Sequence, residues 1–363
     1  WRRIVVYTPP NVAKAGKLPV LYLSHGYSDN EASWTVHGKA HWIMDSLIAS
    51  RKAKPMIVVM PDGDGSFYVL GTHYNATIDT RDWAPYQDRL LRCDIRYREQ
   101  VDEAIRRSRP DVVYLLAAQS YPALSWQAPL ETLDTNVLGT ANVYEAIRAS
   151  GLDPVVVVAC SSAQYGEVAA EDIPVRESHP MRPLHPYGVS KVATELLALQ
   201  YHANAGIRSV CARIFNTTGP RKTGDVCADI TQRVARIEAG LLPPALKVGN
   251  QDTWRAITDV RDLARALELL AAHGEAGGVY NISGATTYQI REIVAAAQAS
   301  SRVPLSIETD PELLRPSDEK VIFGDSSKLV AATGWKQEFA LARTLDDMLA
   351  YWRAIYGVRG QAA

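Results

Sequence analysis

Long apolar runs are missing from this chain of 363 residues. The longest, around 112–118 and 155–160, fall well short of the roughly 20 residues a membrane-crossing helix needs, so no membrane partner is expected. An excess of either charge is missing too. Lys plus Arg number 39 against 40 Asp plus Glu, and no basic stripe carries interleaved aromatics, which argues against nucleic acid as a partner. Cysteine is scarce. Cys93, Cys160, Cys211 and Cys227 have no paired spacing, so a disulfide framework is not expected and a reducing cytoplasm fits best. Tracts of Ser, Gln or Gly are absent, and 47% hydrophobic with 22% charged residues is the composition of a globular protein. His37 and His41 lie four apart, but no Glu follows His37 as in a zinc-protease helix, so a surface or capping role is preferred and no metal is expected.

What is present is an alternation. From about Asp88 onward, short β-branched runs alternate with amphipathic stretches. Strands are predicted at 89–93, 112–117, 155–160 and 208–215, and helices at 98–108, 128–149 and 187–205. This is the βαβ pattern of an α/β doubly wound parallel sheet of Rossmann-like type. Later segments are shorter and more mixed. Helices near 226–240, 259–272, 288–299 and 341–356, separated by brief strands and Pro-containing loops, suggest a smaller C-terminal substrate lobe. The opening offers strands at 19–24 and 56–60 with a polar loop and a helix, about 38–50, between them.

One spacing points to chemistry. Tyr187-Gly-Val-Ser-Lys191 follows Pro186 at the start of a predicted helix, so a phenol and an ammonium share one helical face. A nearby cation favours phenolate and should bring the phenol towards acid or base work near neutrality. With 17 tyrosines, such a spacing also arises by chance. The context strengthens it, because the run 155–160 leads into Ser161-Ser162-Ala163-Gln164-Tyr165-Gly166, placing a hydroxyl at the strand end where α/β sheets bind ligands.

The succession of hydroxyl-bearing strand end, Tyr-x-x-x-Lys and Arg213-Ile-Phe-Asn216-Thr-Thr-Gly219-Pro220 resembles extended short-chain dehydrogenases/reductases, from about residue 69 to the end. Within that family it is most similar to the GDP-sugar branch of 4-keto-6-deoxy-mannose reductases and mannose 4,6-dehydratases. Arg182-Pro-Leu-His-Pro-Tyr187 and Leu313-Leu-Arg-Pro-Ser-Asp318 carry that likeness. The resemblance implies an enzyme in which Tyr187 moves the proton, Ser161 hydrogen-bonds the reacting oxygen and Lys191 also holds the nicotinamide ribose. It implies that Asp94 and Ile95 meet the adenine, that Leu116, Ala117, Ala118 and Gln119 line the cofactor, and that Asn136 is a structural and relay asparagine. Substrate contacts fall to Ser120, Asn216, Arg221, Val248, Arg255 and Arg315, with the two last arginines on the diphosphate. NADP or NAD is the implied cofactor and a nucleotide sugar the implied substrate. A homodimer would pair the helices at 128–149 and 187–205.

Dehydration needs an acid/base group beyond the tyrosine. In similar dehydratases a glutamate stands two positions after the catalytic hydroxyl, where this chain has Ala163. Reduction of a 4-keto-6-deoxy sugar is therefore preferred over 4,6-dehydration. Epimerization at C4 stays open, because epimerases share nearly all these motifs.

Residues 1–68 depart from that family. The expected Gly-x-x-Gly-x-x-Gly turn, which lets backbone approach a pyrophosphate, is absent. Instead, Leu18-Pro-Val-Leu-Tyr-Leu-Ser-His25-Gly26 through Met56-Ile-Val-Val-Met-Pro-Asp62 resembles the opening of an α/β-hydrolase esterase. No Gly-x-Ser-x-Gly nucleophile elbow follows, so hydrolysis is not expected. The chain reads as a fusion near 66–71, with the esterase-like piece replacing the first βαβ unit, residues 69–216 forming the cofactor and catalytic domain, and 217–363 mostly the substrate lobe. A strand of the replacement, 19–24 or 56–60, is expected to fill the vacated centre of the sheet. Asp29 and Glu31 in the following loop should weaken cofactor binding. Gly71-Thr72-His73 lacks the acidic residue that selects NAD, which tips the preference to NADP. A sugar-nucleotide binder without turnover and an esterase are the readings from other classes.

Overall fold

The computed structural model describes residues 4–7, 19–22, 57–61, 93–313 and 321–358. The expected strand at 89–93, apart from Cys93, and the helix at 38–50 lie outside these residues, as do His37, His41, Asp29, Glu31 and Gly71-Thr72-His73. The chain forms two compact units: residues 1–166, 181–212 and 270–279 make the first, and 167–180, 213–269 and 280–363 the second.

The described residues include a seven-stranded sheet, most of whose strands lie in the first unit. Its strands are β1 (Ile4–Tyr7), β2 (Pro19–Tyr22), β3 (Ile57–Pro61), β4 (Val112–Leu115), β5 (Val155–Ser161), β6 (Arg208–Ile214) and β7 (Val279–Ile282), and the spatial order is β1-β3-β2-β4-β5-β6-β7. β2 runs parallel to both β3 and β4, and β4 runs parallel to β5. Of the two strands expected to fill the sheet's centre, β2 takes the place beside β4, with Val20 opposite Val113, and β3 lies on its other side. β1 was not anticipated. It pairs antiparallel with β3 at the edge, Ile4 opposite Pro61.

Among the described residues, five α-helices belong to this unit: α1 (Arg98–Ser108), α2 (Pro122–Gln127), α3 (Pro129–Leu133), α4 (Gly139–Ser150) and α5 (Pro186–Ala205). Val113–Leu115 of β4 and Val156–Ser161 of β5 are buried without alternation, the signature of strands covered on both faces. Val101 and Ile105 of α1, Val143, Tyr144 and Ile147 of α4, and Val156, Val158 and Cys160 of β5 share one core. Each such side chain, fully buried, contributes about 1.5–3 kcal/mol. Tyr144 also stacks on Tyr201 of α5, ring centroids 4.8 Å apart, and gives its hydroxyl proton to Ser209 at 2.9 Å.

The helix expected over 128–149 is present as an unbroken helical run over 129–150, but its middle, residues 134–138, is a π-helical segment joining α3 to α4. Hydrophobic periodicity does not register a single widened turn, and such turns concentrate at functional sites.

The second unit holds α6 (Val226–Glu238), α7 (Val260–His273), α8 (Ile290–Ala299), α9 (Ser327–Thr333) and α10 (Leu341–Ile355). Short strands accompany them: Ala245–Val248 pairs parallel with Ser306–Thr309, and Trp254–Ala256 lies between Thr287–Gln289 and Val321–Ile322. Ile230 and Val234 of α6, Ile293 of α8, and Leu345, Met348 and Leu349 of α10 form its core. At its margin the Arg353 guanidinium grips the buried Glu238 carboxylate with two bonds of 2.7 Å, and Arg302 N–H adds a third at 2.8 Å. Burial alone would raise the Glu238 pKa, but these donors outweigh it and hold it below the ordinary carboxyl value.

Arg353→Met should cost about 3–5 kcal/mol, the usual consequence of stranding one charge of a buried pair. Because the folded pKa of Glu238 is depressed, its contribution is full above the unfolded value of about 4.3 and fades as pH falls through the lower folded value. Urea unfolding across that range should therefore show a steeper acid loss for the parent than for the variant.

Candidate active site

The first unit gathers the three residues expected to carry the chemistry. β5 ends at Ser161, and the chain turns at once into a short 3-10 turn, Ser162–Gln164. Ser161 Oγ accepts the Ala163 N–H at 3.2 Å, and Gln164 Oε1 accepts the Ser161 N–H at 2.9 Å. The serine hydroxyl bears on the Tyr187 phenol and favours its ionised form.

Tyr187 and Lys191 come from the first turns of α5. Pro186 occupies the first helical position, where a missing N–H costs nothing, and His185 is the N-cap, its Nδ1 accepting the Gly188 N–H at 3.0 Å. The imidazole stacks on the Tyr187 ring, centroids 5.9 Å apart. Gly188 lets the helix approach the turn after β5, since a Cβ there would lie 2.7 Å from the Ala163 carbonyl oxygen. The Lys191 ammonium donates to the Ala159 carbonyl of β5 at 2.7 Å and sits 5.9 Å from the Tyr187 ring centroid.

The electrostatics differ from the sequence expectation. Burial pushes the Tyr187 phenol up to about 12, with the Ser161 hydroxyl pulling the other way, and burial brings the Lys191 ammonium down to about 8. Desolvation disfavours every charged form, so it raises an acid and lowers a base, and it is the largest cause at both groups. The phenol is thus held protonated at neutral pH, as a donor. Burial likewise lowers the His185 pKa, which keeps its ring neutral and able to accept at Nδ1.

Around this trio the π-helical segment provides a brace. Asn136 Oδ1 accepts the Gln119 N–H at 2.7 Å, while Nδ2 donates to Gln119 O at 2.9 Å and to Ser190 Oγ at 2.8 Å. Gln119 itself is spent structurally, its Nε2 on Thr132 and its Oε1 on the Tyr121 N–H. Ser120 is exposed beside it.

Asp94, Ile95 and Arg96 form a turn closed by Tyr97 N–H to Asp94 O at 3.0 Å. The Arg96 guanidinium clasps the Asp94 carboxylate at 2.6 Å, and Asn142 of α4 donates to Ile95 O and Arg96 O at 2.8 and 3.0 Å. Ile95 packs so closely on α4 that a Cβ at Gly139 would come 2.6 Å from its side chain. Half-buried Leu116 and buried Ala117 and Ala118 follow β4. This donor set suits a nicotinamide dinucleotide: a buried acidic turn, small apolar residues where a flat ring can lie, and an ammonium with three donors of which Ala159 takes one.

The second unit holds four of the expected substrate residues. Asn216 is half-buried, and its Nδ2 is a buried donor with no hydrogen-bond partner among the described residues, which suits an absent ligand oxygen. Arg221 has φ 79 at the third position of a turn closed by Lys222 N–H to Gly219 O. A side chain other than glycine rarely accepts that conformation. Arg255 lies half-buried on the central strand of the three-stranded sheet, opposite Tyr288. Val248 is buried in this unit's core, so its side chain is committed to packing. Arg315 lies outside the described residues. His185, Asn142 and Gln164 were not singled out from sequence; a polar residue just before Pro186 was the available cue for the first.

Comparison with known proteins agrees with this geometry. The GDP-mannose 4,6 dehydratase family matches residues 68–348, and an esterase family matches residues 2–92. The chain therefore belongs to the GDP-mannose 4,6 dehydratase family of extended short-chain dehydrogenases/reductases, with an esterase-like segment at its start. Among individual relatives, GDP-6-deoxy-D-mannose reductase of Pseudomonas aeruginosa is 36% identical over 246 residues, 68% of this chain and 81% of that protein. The solved structure of RMD from Pseudomonas aeruginosa complexed with NADPH has a TM-score of 0.69 at 33% identity, covering 72% of this chain and 87% of that one. That of Thermus thermophilus UDP-glucose 4-epimerase complexed with NAD has a TM-score of 0.71 at 26% identity, covering 93% and 99%.

His185→Ala should cost about 1 kcal/mol, the typical loss on removing an N-cap, whereas His185→Asn should retain most of it. Because the folded pKa is depressed, the imidazole cap contributes fully above about 6.5 and its contribution is lost as pH falls through the lower folded value. Chemical denaturation of the parent and the asparagine variant on either side of that range would register the difference.

Proposed function

We propose that the chain is a nucleotide-sugar oxidoreductase that reduces a 4-keto-6-deoxy sugar nucleotide, GDP-linked, with NADPH. The observation that carries this reading is the meeting of Ser161, at the end of a parallel strand, with Tyr187 and Lys191 on the first turns of α5, the ammonium anchored on Ala159 O and 5.9 Å from the phenol ring centroid. When bound, the reduced nicotinamide supplies hydride to the C4 carbonyl carbon. Tyr187 gives its proton to the C4 oxygen as charge develops there, and Ser161 steadies that oxygen by a hydrogen bond. Lys191 orients the nicotinamide ribose and shifts the phenolate left behind back towards stability. Ala163, which can carry no proton, favours this reaction over 4,6-dehydration. C4 epimerization needs the same trio and is the alternative that the 4-epimerase likeness keeps in view.

Asp94, Ile95, Leu116, Ala117 and Ala118 would hold the cofactor, with Gln119, its polar groups already engaged, serving only as part of the wall. Ser120, Asn216, Arg221, Arg255 and Arg315 would hold the sugar nucleotide, the arginines matching a diphosphate with a planar, permanently charged fork, and Val248 would contribute through its backbone. Residues 1–68 stand in for the first βαβ unit, with 69–216 the catalytic domain and 217–363 mostly the substrate lobe. The missing glycine turn weakens the cofactor's pyrophosphate contact, so dinucleotide affinity is the property most reduced. Exposed Leu130 and Leu138 near α4, with Val189 and Leu196 on α5, favour a homodimer. Four free, buried cysteines suit a reducing cytoplasm, and among the described residues no helix is long and apolar enough to cross a membrane.

Supplying GDP-4-keto-6-deoxy-mannose should cause NADPH consumption, and Tyr187→Phe should lower the rate by about 10²–10⁴-fold. Full turnover by the phenylalanine variant would defeat the assignment. In a fluorescence titration, NADPH should bind more weakly than micromolar; micromolar affinity would refute a disabling role for the replaced segment.

A further inference from the structure

The turn that follows β5 contains a buried polar pair that the proposed reaction does not use. Gln164 is fully buried, and Glu195, on α5, is 1% exposed. Gln164 Nε2 donates to Glu195 Oε2 at 2.8 Å, and the same nitrogen lies 3.3 Å from Met181 Sδ. The other end of the amide, Oε1, accepts the Ser161 N–H at 2.9 Å. Burying a carboxylate against a neutral amide is costly, and two apolar side chains of similar volume would fill the space without that cost.

The pair gives the amide one direction. Only the NH₂ end can serve the Glu195 carboxylate and only the carbonyl end can receive the Ser161 N–H, so an inverted amide would break both bonds at once. Glu195 also shares a helix with Tyr187 and Lys191 at intervals of four residues, which places all three along one stripe of α5. The helix that carries the phenol thereby holds the serine strand end as well, through one intervening side chain.

We infer that Gln164, oriented by Glu195, is a positioning residue that sets the Ser161 hydroxyl against the Tyr187 phenol. Holding the Ser161 backbone through its N–H fixes where Oγ, which accepts the Ala163 N–H, lies beside Tyr187. Groups near the phenol that titrate are Lys191 on its own helix, Cys160 on β5 and His185 at the cap, and of these Cys160 feels the Glu195 charge, which helps hold its thiol protonated. This inference rests on the oxidoreductase reading for its catalytic meaning, but the alignment of Ser161 with Tyr187 can be read without turnover.

The test uses the full chain with ¹³Cζ-labelled tyrosine, the Tyr187 signal being identified by its loss in Tyr187→Phe. The apolar pair Q164M/E195M leaves no buried charge behind, and its folding is checked by thermal melting. Its kcat should fall between about tenfold and a hundredfold, the scale of a misplaced catalytic group, with KM for the sugar nucleotide unchanged. Its phenol should titrate at higher pH than the parent's, because the Ser161 influence that opposes burial is weakened. The interchange Q164E/E195Q keeps both bonds, since a carboxylate at position 164 accepts from Ser161 and from an amide at position 195, and should restore both readouts. A folded Q164M/E195M with the parent's phenol titration would overturn the inference, as would a folded interchange variant that stays as impaired as the apolar pair. If the parent itself turns over no sugar nucleotide, the functional reading falls while the phenol titration still decides the role of Gln164.

Discussion

The bond from the Lys191 ammonium to the Ala159 carbonyl carries more of this architecture than its length of 2.7 Å suggests. It ties the first turns of α5 to the last residues of β5, the two elements from which the chemistry is assembled. A buried ammonium without such a partner would be expelled or neutralised, so the close seating of the helix on the strand is a condition for having the charge there at all. Gly188 makes that seating sterically possible, and Asn136 braces it from a third element by joining Ser190 to the end of β4. The phenol then inherits its properties from the seat: dry, protonated and facing a hydroxyl.

Much of this was legible in the residues. α1 falls at 98–108 as read, because its apolar positions repeat at helical spacing and Ser108 is followed by an αL residue, Arg109. β4 and β5 announced themselves as short unbroken β-branched runs, and Ser161, Tyr187 and Lys191 were identified by order and spacing and do meet. The sheet's centre was filled as expected by an esterase-like strand, β2. β1 escaped notice because four residues near the start of the chain carry too little periodicity to stand out.

What was not legible depends on burial and on single-residue geometry. Counting charges along a helix predicted a phenol made more acidic by its lysine, whereas the folded environment raises it; proximity can be read from spacing, but dielectric cannot. The expected helix over 128–149 concealed a π segment, since an apolar pattern looks the same on either side of one widened turn. Val248 and Leu116 look alike in sequence, yet one is packed into a core and the other is half-exposed at a strand end. The Asn142 amide under the Asp94 turn is a contact made across the fold, and no local pattern encodes it.

The widened turn at 134–138 also sets a length requirement on the gene. A π segment houses one residue more than regular α-helix would, and that surplus residue is what rotates Asn136 to face Gln119 and Ser190. Deleting any one of its other four codons would let the segment relax to ordinary helical pitch with little loss of helical content, while turning the asparagine by about a quarter of a revolution. Such a shortened chain would still fold, and its defect would lie in the frame of one amide, invisible to any comparison that scores residue types alone.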